Sequence, residues 1–579
     1  MRLPSIISLA GHTAEVVRRF PWTMAAGITA AAAAIVATTR SADPQWGRIA
    51  MVAALGLPLT VGLTVLAEER KWSRGRSAVI NAAGVAVLVV FYLLWPGPDR
   101  KHEAIRYFQL SAGLHLLVAF LPFVGQRETG AFWQYNRRLF LGFLRAYVFS
   151  QVLFIGLAVA LGALDKLFGV DVEAELYARL ALVIAFVVNT AIFLAVVPRD
   201  LGGLATDTEY PRVLKVFSQY ILTPLVFVYL VILIADLVTI VVGGQWPSGW
   251  IGWLVTSVAV AGLLGFLLVH PLRDDRNEAW IRTYTRWLFI GLIPAAVMLL
   301  VAFWKRVLPY GLTEPRLLGI LLGLWLLAIA MGYTVRQRAG IRWIPVSLSI
   351  LLLVTLYGPL SVTRLSVASQ GRRLRETVSP SPEGGGNARE ASAALRFLLD
   401  HGARQEIAAA IPGELPRLDW DSVPDQRYHR DSMATEILVV AGMRYVPEYA
   451  ATSTGSFYLS ARSETATRIA GFEWMLRVSA NDVRPILVGK DSISVAFKAG
   501  VARVTVGPDS IVFDVGALAR AIAADSTVVP HDVPAERLHL DASTPGRRAV
   551  LRVQYMNGTR TSDSVRVDGW QGTLFLGRP

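Results

Sequence analysis

Residues 216–243 have the sequence VFSQYILTPLVFVYLVILIADLVTIVVG, which contains a single charged side chain, that of Asp236. About 20 apolar residues are enough for an α-helix to cross the hydrocarbon core of a bilayer. The stretch therefore predicts a membrane-spanning helix. Stretches of the same character recur through the first 360 residues, and together they predict eleven spans, at 22–39, 47–67, 77–95, 105–124, 139–164, 176–198, 216–243, 249–272, 286–304, 316–334 and 342–360.

The charge of the chain follows the same division into an apolar and a soluble part. Residues 1–380 contain 35 Lys and Arg and 20 Asp and Glu, whereas residues 381–579 contain 22 and 23. Basic connectors that stay in the cytoplasm explain such an excess in a membrane protein. The composition therefore does not indicate nucleic-acid binding. The chain has no cysteine, which excludes disulfides, thiolate nucleophiles and Cys-ligated metals.

The orientation is predicted from the basic residues of alternate connectors and the helix ends beside them. The N-terminal side holds 20 Lys and Arg and the opposite side holds 10. The predicted location is the cytoplasmic (inner) membrane. The bias places the N-terminus on the cytoplasmic side of that membrane. An odd number of spans then places the C-terminal domain outside the cytoplasm. The arginines that follow the last span favour the reverse orientation: Arg364, Arg372, Arg373 and Arg375.

The sequence predicts a transmembrane helical domain at 1–376, a linker at 377–390 and a soluble, extracytoplasmic domain at 391–579. The linker contains SPSPEGGGN, typical of a flexible boundary. Beyond it, periodicity predicts helices at 388–401 and 515–524 and short strands at 493–497, 501–506, 511–515, 550–555 and 561–567. Asn557-Gly558 predicts a tight hairpin turn. The predicted fold is a polytopic α-helical membrane protein of about eleven helices with a C-terminal, β-rich α+β domain.

Two span entrances have similar sequences. YNRRLFLG at 135–142 leads into the fifth span, and YTRWLFIG at 284–291 leads into the ninth. The exits are also alike, at Phe168-Gly169-Val170 and Tyr310-Gly311-Leu312. A parallel repeat of spans 5–7 and 9–11 is one interpretation, and such repeats occur in transporters. The alternative is that Tyr, Arg and Phe merely anchor a cytoplasmic helix entrance.

Ionisable groups at bilayer depth suggest candidate binding residues. Asp236 is predicted either to bind a proton or cation or to pair with a basic group on a neighbouring helix. The structural alternative is a carboxylate that reaches the interface. His115 falls in the middle of the fourth span and is a candidate proton relay. Its alternative is a neutral histidine hydrogen-bonded to backbone.

The outer connector between spans nine and ten supplies the remaining candidates: Tyr310, Thr313, Glu314 and Arg316. A loop that faces a ligand beneath the outer domain is one hypothesis. The other is helix capping, since Thr313 or Glu314 can satisfy free N–H groups at the start of span ten. No nucleophile elbow, phosphate loop, dinucleotide fingerprint or zincin motif is present, and no cofactor is predicted. Asp419, Asp421, Asp425 and His429 are more typical of solvated side chains than of a metal site, so no metal is predicted.

These motifs resemble a bacterial family. The segments are Tyr310-Gly-Leu-Thr-Glu-x-Arg316, then Gly358-Pro-x-Ser361, then Ser369-Gln-x-x-Arg-Leu374. They are similar to multi-spanning membrane proteins catalogued as domain of unknown function four-one-five-three. Residues 395–402 and the Gly-Phe-Glu-Trp of 471–474 look like the soluble tail of that family, so the resemblance spans most of 130–579. Pro315 departs from it, because the family typically has a polar residue there. The resemblance implies a location and an architecture, with no known activity.

The sequence thus favours an integral cytoplasmic-membrane protein that is transporter-like or envelope-organising, with an outer interaction domain. Its expected partners are the lipid bilayer and an envelope protein or a small-molecule or ion ligand. A membrane enzyme acting on lipid or cell-wall precursors is an alternative, although only the acidic connector at 165–175 approaches the carboxylate cluster that it needs. A non-catalytic sensor or scaffold is the third hypothesis.

Overall fold

The structure is a computed structural model that divides into two compact units, Met1–Ser369 and Gln370–Pro579. Each unit is described by itself. The residues described are 14–39, 43–98, 100–125, 129–206, 210–243, 251–274, 278–336, 340–378, 388–411, 427–446, 455–461, 469, 471–480, 485–488, 491–524, 533–560 and 564–578. The predicted linker segment at 379–387 and the acidic side chains of Asp419, Asp421 and Asp425 lie outside them.

The first unit is built from apolar helices, and each of the eleven predicted spans has its own helix. They are α1 (Pro21–Ala37), α2 (Gln45–Glu69), α3 (Arg74–Leu94), α4 (Lys101–Phe120), α5 (Thr129–Phe168), α6 (Ala174–Ala195), α7 (Arg212–Gly243), α8 (Ile251–Val269), α9 (Ala279–Tyr310), α10 (Glu314–Val335) and α11 (Trp343–Val354). Within the described part of the chain, nine of them, α2 to α10, are long and apolar enough to cross a membrane. The prediction of a polytopic helical membrane protein is confirmed.

Helices α1 and α11 are shorter, with 17 and 12 residues. A 12-residue helix is about 18 Å long, which is less than the hydrocarbon core. The predicted eleventh span at 342–360 is therefore only partly helical. Its last residues form a turn in which Gly358 has a φ of +82°, a backbone conformation that favours glycine.

Contacts along α11 show how far it extends beside α4. Arg342 Nη1 donates to the carbonyl of Phe123 (3.0 Å) at one end, and Ser349 Oγ donates to the carbonyl of Gly113 (2.9 Å) near the middle. At the other end, Gln109 Nε2 donates to Thr355 Oγ1 (2.8 Å). The segment from Arg342 to Thr355 therefore runs antiparallel to α4 along the whole length of the segment.

The helices of the first unit pack closely around an apolar core. Gly27 of α1 illustrates how closely, because a Cβ built on it would lie 2.5 Å from the carbonyl oxygen of Phe186. Phe186 belongs to a π-helical turn, Ile184–Val188, inside α6. A second π-helical turn, Phe217–Leu222, lies in α7. Glycine at position 27 is therefore needed for the approach of α1 to α6.

Helix α12 (Val362–Val378) contains the boundary between the units, and the second unit continues with α13 (Ala388–Asp400), α14 (Arg404–Ala410), α15 (Arg427–Val440) and α16 (Val515–Ala524). Its strands are β1 (Gly455–Ser460), β2 (Trp474–Ser479), β3 (Ile486–Val488), β4 (Asp491–Lys498), β5 (Val501–Val506), β6 (Asp509–Asp514), β7 (His539–Thr544), β8 (Arg547–Arg560) and β9 (Val565–Gly577). One antiparallel sheet has the order β1-β8-β9-β2 with β7 also paired to β8, and the other is the meander β3-β4-β5-β6. The predicted β-rich α+β fold is confirmed.

The predicted hairpin turn at Asn557-Gly558 is wrong. Both residues lie inside β8, where Asn557 pairs with Gly569 and Gly558 pairs with Val567 across a register shift. A Cβ on Gly558 would lie 1.9 Å from the carbonyl oxygen of Arg566. The glycine therefore permits a close approach of two backbones at a β-bulge, a common reason for glycine inside a strand.

Candidate functional site

The turn between α9 and α10 is held by its own residues. Gly311 ends α9 with a φ of +67°, and Arg316 Nη1 donates to the carbonyls of Tyr310 (3.0 Å) and Gly311 (2.8 Å). The Arg316 guanidinium also lies 5.5 Å from the centre of the Tyr310 ring. Arg316 thus fixes the turn through its own contacts, a role that neither the capping nor the ligand hypothesis gave it.

The other residues of the turn are arranged around the start of α10. Glu314 is buried in its first turn, at 3% exposure. Thr313 is the N-cap residue, yet its side chain makes no capping hydrogen bond. Pro315 occupies the first turn, where a proline is well tolerated. The backbone N–H of Leu312 donates to Ser369 Oγ (3.1 Å), so two of the motifs that carried the family resemblance are in contact.

His115 is exposed on the surface of α4. Its Nδ1 lies 2.8 Å from the carbonyl oxygen of Ser111, one turn earlier in the same helix. This is a hydrogen bond to backbone, as in the structural alternative, although it is made within the residue's own helix.

Asp236 is half-buried on α7, and the hydroxyl of Thr239 donates to its main-chain carbonyl (2.7 Å). Among the residues that the structure describes, its carboxylate has no hydrogen-bond or ion-pair partner. The hydrogen bonds described for Asp236 and His115 are both within their own helices. The structure therefore does not join these two residues to each other or to the Tyr310–Arg316 turn.

The acidic connector at 165–175 is partly neutralised. Asp165 pairs with Lys166 (2.8 Å) and Glu175 pairs with Arg179 (2.8 Å). Across the described ranges, no group of three or more His, Asp or Glu side chains is placed to hold a metal ion.

Sequence reasoning missed an ionic cluster at the predicted cytoplasmic ends of the helices. Arg19 forms a two-pronged pair with Glu68, through Nε–Oε1 (2.9 Å) and Nη2–Oε2 (2.7 Å). The same guanidinium donates to the carbonyls of Val197 and Pro198, both at 2.7 Å. It thereby joins the start of α1, the end of α2 and the residues after α6, which are separated by up to 179 positions in sequence.

A second cluster surrounds Glu278, which precedes α9. Its carboxylate accepts hydrogen bonds from Lys215 Nζ (2.5 Å), Gln219 Nε2 (3.0 Å) and Trp280 Nε1 (2.6 Å). The hydrogen bond from Lys215 is the main reason that the pKa of Glu278 is lowered, against the opposing effect of burial. Glu278 is therefore held in its charged form.

A third cluster lies at the start of α4. Glu103 is 4% exposed, and its Oε1 lies 2.6 Å from Arg106 Nη1 and 3.2 Å from His102 Nε2. Its Oε2 is buried and has no hydrogen-bond partner in the described part of the chain. The sequence contained one indication of this cluster, namely three ionisable residues within four positions of the predicted start of a span. A hydropathy profile alone identifies such residues only as the polar end of a helix.

Comparison with known proteins identifies the family to which the chain belongs. The model of the family described as "Domain of unknown function (DUF4153)" matches residues 25–379, which is more than half of the chain. The chain belongs to this family. An uncharacterised protein of Pasteurella multocida (strain Pm70) is 21% identical over 272 residues, a region that covers 47% of this chain and 45% of that protein. The chain thus spans about half the length of this relative. No solved structure matches.

The family assignment confirms the resemblance and covers the helical region. All six candidate residues, from His115 to Arg316, lie within the matched range. The tail segments at 395–402 and 471–474 lie beyond its end. Because the function of the DUF4153 family is not known, the match assigns no role to any side chain. The multi-pass membrane character rests on the apolar helices.

Proposed function

We propose that this protein is an envelope-organising protein of the bacterial cytoplasmic membrane. Its helical unit serves as an anchor, and its C-terminal domain binds a partner or ligand outside the cytoplasm. The proposal rests on how the polar groups of the helical unit are used.

Polar side chains of the helices and of the segments beside them bond to main-chain carbonyls elsewhere in the helical unit. The donors and acceptors are Arg19 to Val197, Arg48 to Trp95, Gln109 to Leu352, Trp133 to Leu267, Tyr210 to Leu268 and Arg342 to Phe123. Hydrogen bonds of this kind fix helices against one another where lipid offers no alternative partner. These donors are committed to the structure of the unit, which favours an anchor over a conduction path.

The orientation is supported by two observations. Lys and Arg number 20 on the N-terminal side of the bundle and 10 on the other. The segment of α11 and the turn after it runs beside the residues from Phe123 to Gln109, which covers more than half the length of α4. Both observations favour eleven crossings and an extracytoplasmic C-terminal domain.

Cysteine labelling tests the orientation directly, because the chain has no cysteine of its own. Gly75→Cys introduces a thiol at the start of α3, where a Cβ meets no atom within 4 Å, and Ser543→Cys introduces one at an exposed position of β7. In spheroplasts, a membrane-impermeant maleimide should label Ser543→Cys at once and Gly75→Cys only after permeabilisation. The opposite pattern, or labelling of both before permeabilisation, overturns the proposal.

Ion-coupled transport is the second candidate, and two observations favour it. The half-buried Asp236 carboxylate has no partner in the described residues, and it lies on α7, which contains a π-helical turn. Such turns are frequent at functional sites. For an anchor, vesicles that contain the full-length protein and a pH-sensitive dye should show the proton flux of empty vesicles under an imposed potential. Flux that Asp236→Asn abolishes and the exposed control Asp171→Asn preserves would favour transport instead.

A further inference from the structure

The second unit contains a cavity of about 250 Å³ on one face of its five-stranded sheet. The strand register places the lining residues together. His539 of β7 pairs with Arg552 of β8, and Asp541 pairs with Val550, which in turn pairs with Phe575 of β9. Because directly opposite residues project to the same face, these side chains share one surface of the sheet.

The floor of the cavity is apolar. Val550 and Phe575 are 8% and 4% exposed, although they lie on the face opposite to Leu551 and Leu574 of the domain core. The ring of Phe472 lies 5.6 Å from that of Phe575 and extends this floor. Sheet face and aromatic ring together give a small apolar base on which a ligand can rest.

Two arginines flank this base. The Arg548 guanidinium lies 5.6 Å from the centre of the Phe472 ring, and that of Arg552 lies 5.5 Å from the centre of the Phe575 ring. The cation–π contact of Arg548 holds its guanidinium in place and leaves its N–H groups able to donate. The cavity lining therefore contains a guanidinium whose position is fixed.

The lining also contains two carboxylates, those of Glu536 and Asp541. In the described part of the chain, neither Arg548 nor Glu536 has an ion-pair partner, and Asp541 has only His539, at 3.5 Å. Arg548 and the two carboxylates thus line one small cavity without pairing with each other. A ligand that carries both charges would pair with Arg548 and with the carboxylates at once, whereas a simple anion or cation would pair with only one of them.

We propose that this cavity binds a small zwitterion of the amino-acid or short-peptide type. The Arg548 guanidinium receives the carboxylate, and the carboxylates of Asp541 and Glu536 receive the ammonium group. The apolar base contacts a small side chain. Pockets for drug-sized molecules occupy about 300–1,000 Å³, so a cavity of this size selects a smaller ligand. This inference goes beyond the proposed anchoring role, because it gives the C-terminal domain a ligand class.

Three dipeptide probes test the requirement for both charges. Calorimetric titration of the full-length protein in nanodiscs with alanyl-alanine should show binding. N-acetyl-alanyl-alanine lacks the ammonium group and alanyl-alanine amide lacks the carboxylate, and each should bind about tenfold more weakly, as expected for the loss of one charge-assisted hydrogen bond. Equal binding of all three probes, or no binding of alanyl-alanine at millimolar concentration, overturns the proposal. Strong binding of the acetylated probe alone would indicate an anion site and also overturn it.

Variants assign the two charges to named residues. Arg548→Gln should reduce the affinity for alanyl-alanine about tenfold and abolish discrimination against the amide, while Asp541→Asn should abolish discrimination against the acetylated probe. Arg477→Gln is the matched control, because Arg477 is an exposed arginine on the same sheet face, opposite Thr573, and does not line the cavity. An equal loss of affinity in Arg477→Gln, or unchanged binding in Arg548→Gln with an unchanged thermal midpoint, contradicts the assignment.

Discussion

The two units of this protein use their charged side chains in different ways. In the helical unit, Arg19 is paired with Glu68 and bonded to two carbonyls, and Glu278 accepts three hydrogen bonds. In the second unit, Arg548 and Glu536 line a common cavity and have no ion-pair partner in the described residues. A bilayer penalises every unsatisfied polar group, whereas a water-filled cavity solvates charges until a ligand arrives. The difference suggests that the helical unit is built to hold its shape and the second unit to bind.

The largest effect is expected from breaking the Arg19 cluster. Arg19→Ala removes both arms of the pair with Glu68 and both carbonyl contacts, and its side chain is only 12% exposed. The Glu68 side chain is 33% exposed, so the loss of stability is expected to lie between the roughly 0–1 kcal/mol of a surface ion pair and the about 3–5 kcal/mol of a buried one. The thermal midpoint of the detergent-solubilised protein should therefore fall by several degrees or more.

The neighbouring arginine provides the control. Arg18 is exposed, so Arg18→Ala changes the same charge next to the same helix without removing the cluster. Surface substitutions of this kind usually change the free energy of unfolding by no more than about 0.5 kcal/mol. Equal midpoints for Arg18→Ala and Arg19→Ala would mean that the helical unit does not depend on this cluster, and the contrast between the two units would lose its main support.

A smaller effect is expected from the packing of α1. Gly27→Ala places a Cβ 2.5 Å from the carbonyl oxygen of Phe186, and a backbone atom cannot move aside as a side-chain tip can. Overpacking of this kind lowers the free energy of unfolding by about 1–3 kcal/mol. Gly156→Ala in α5 is the matched control, because its Cβ meets nothing within 4 Å, and its midpoint should stay level or rise. The same midpoint for both variants would contradict the close packing of α1 against α6.

The helices were predictable from the sequence because hydropathy is a local signal. Each of the eleven predicted spans corresponds to one helix, and the 515–524 helix was also found as α16. Asn557-Gly558 failed for the opposite reason. Its local preference for a turn is outweighed by pairing with Gly569 and Val567, which no local pattern reveals.

The candidate sites also differ in whether their residues are close together or far apart in the sequence. The Tyr310–Arg316 turn could be proposed because its glycine and the helix start that follows it are close in sequence, whereas the contact from Arg316 to Gly311 was not predicted. The Arg19 cluster was missed because Arg19 and Val197 are 178 residues apart. The cavity was missed because strand register brings Asp541 beside Val550, and register depends on the folded sheet.

The smallest effect expected is a pH dependence that comes from Glu278. The hydrogen bond from Lys215 lowers the pKa of this carboxyl, so its contribution to stability is fully present above the pKa of the unfolded state and is lost as the pH falls through the folded value. Glu278→Gln should therefore lower the thermal midpoint at pH 7, and the difference from the wild type should narrow as the pH falls below about 4.3, the reference pKa of a glutamate. Glu173→Gln removes an exposed carboxylate from the same unit and should leave the difference small at every pH. A gap between wild type and Glu278→Gln that stays constant into acid would mean that the Lys215 hydrogen bond does not depend on the charge of Glu278, and that the helical unit holds this cluster by packing alone.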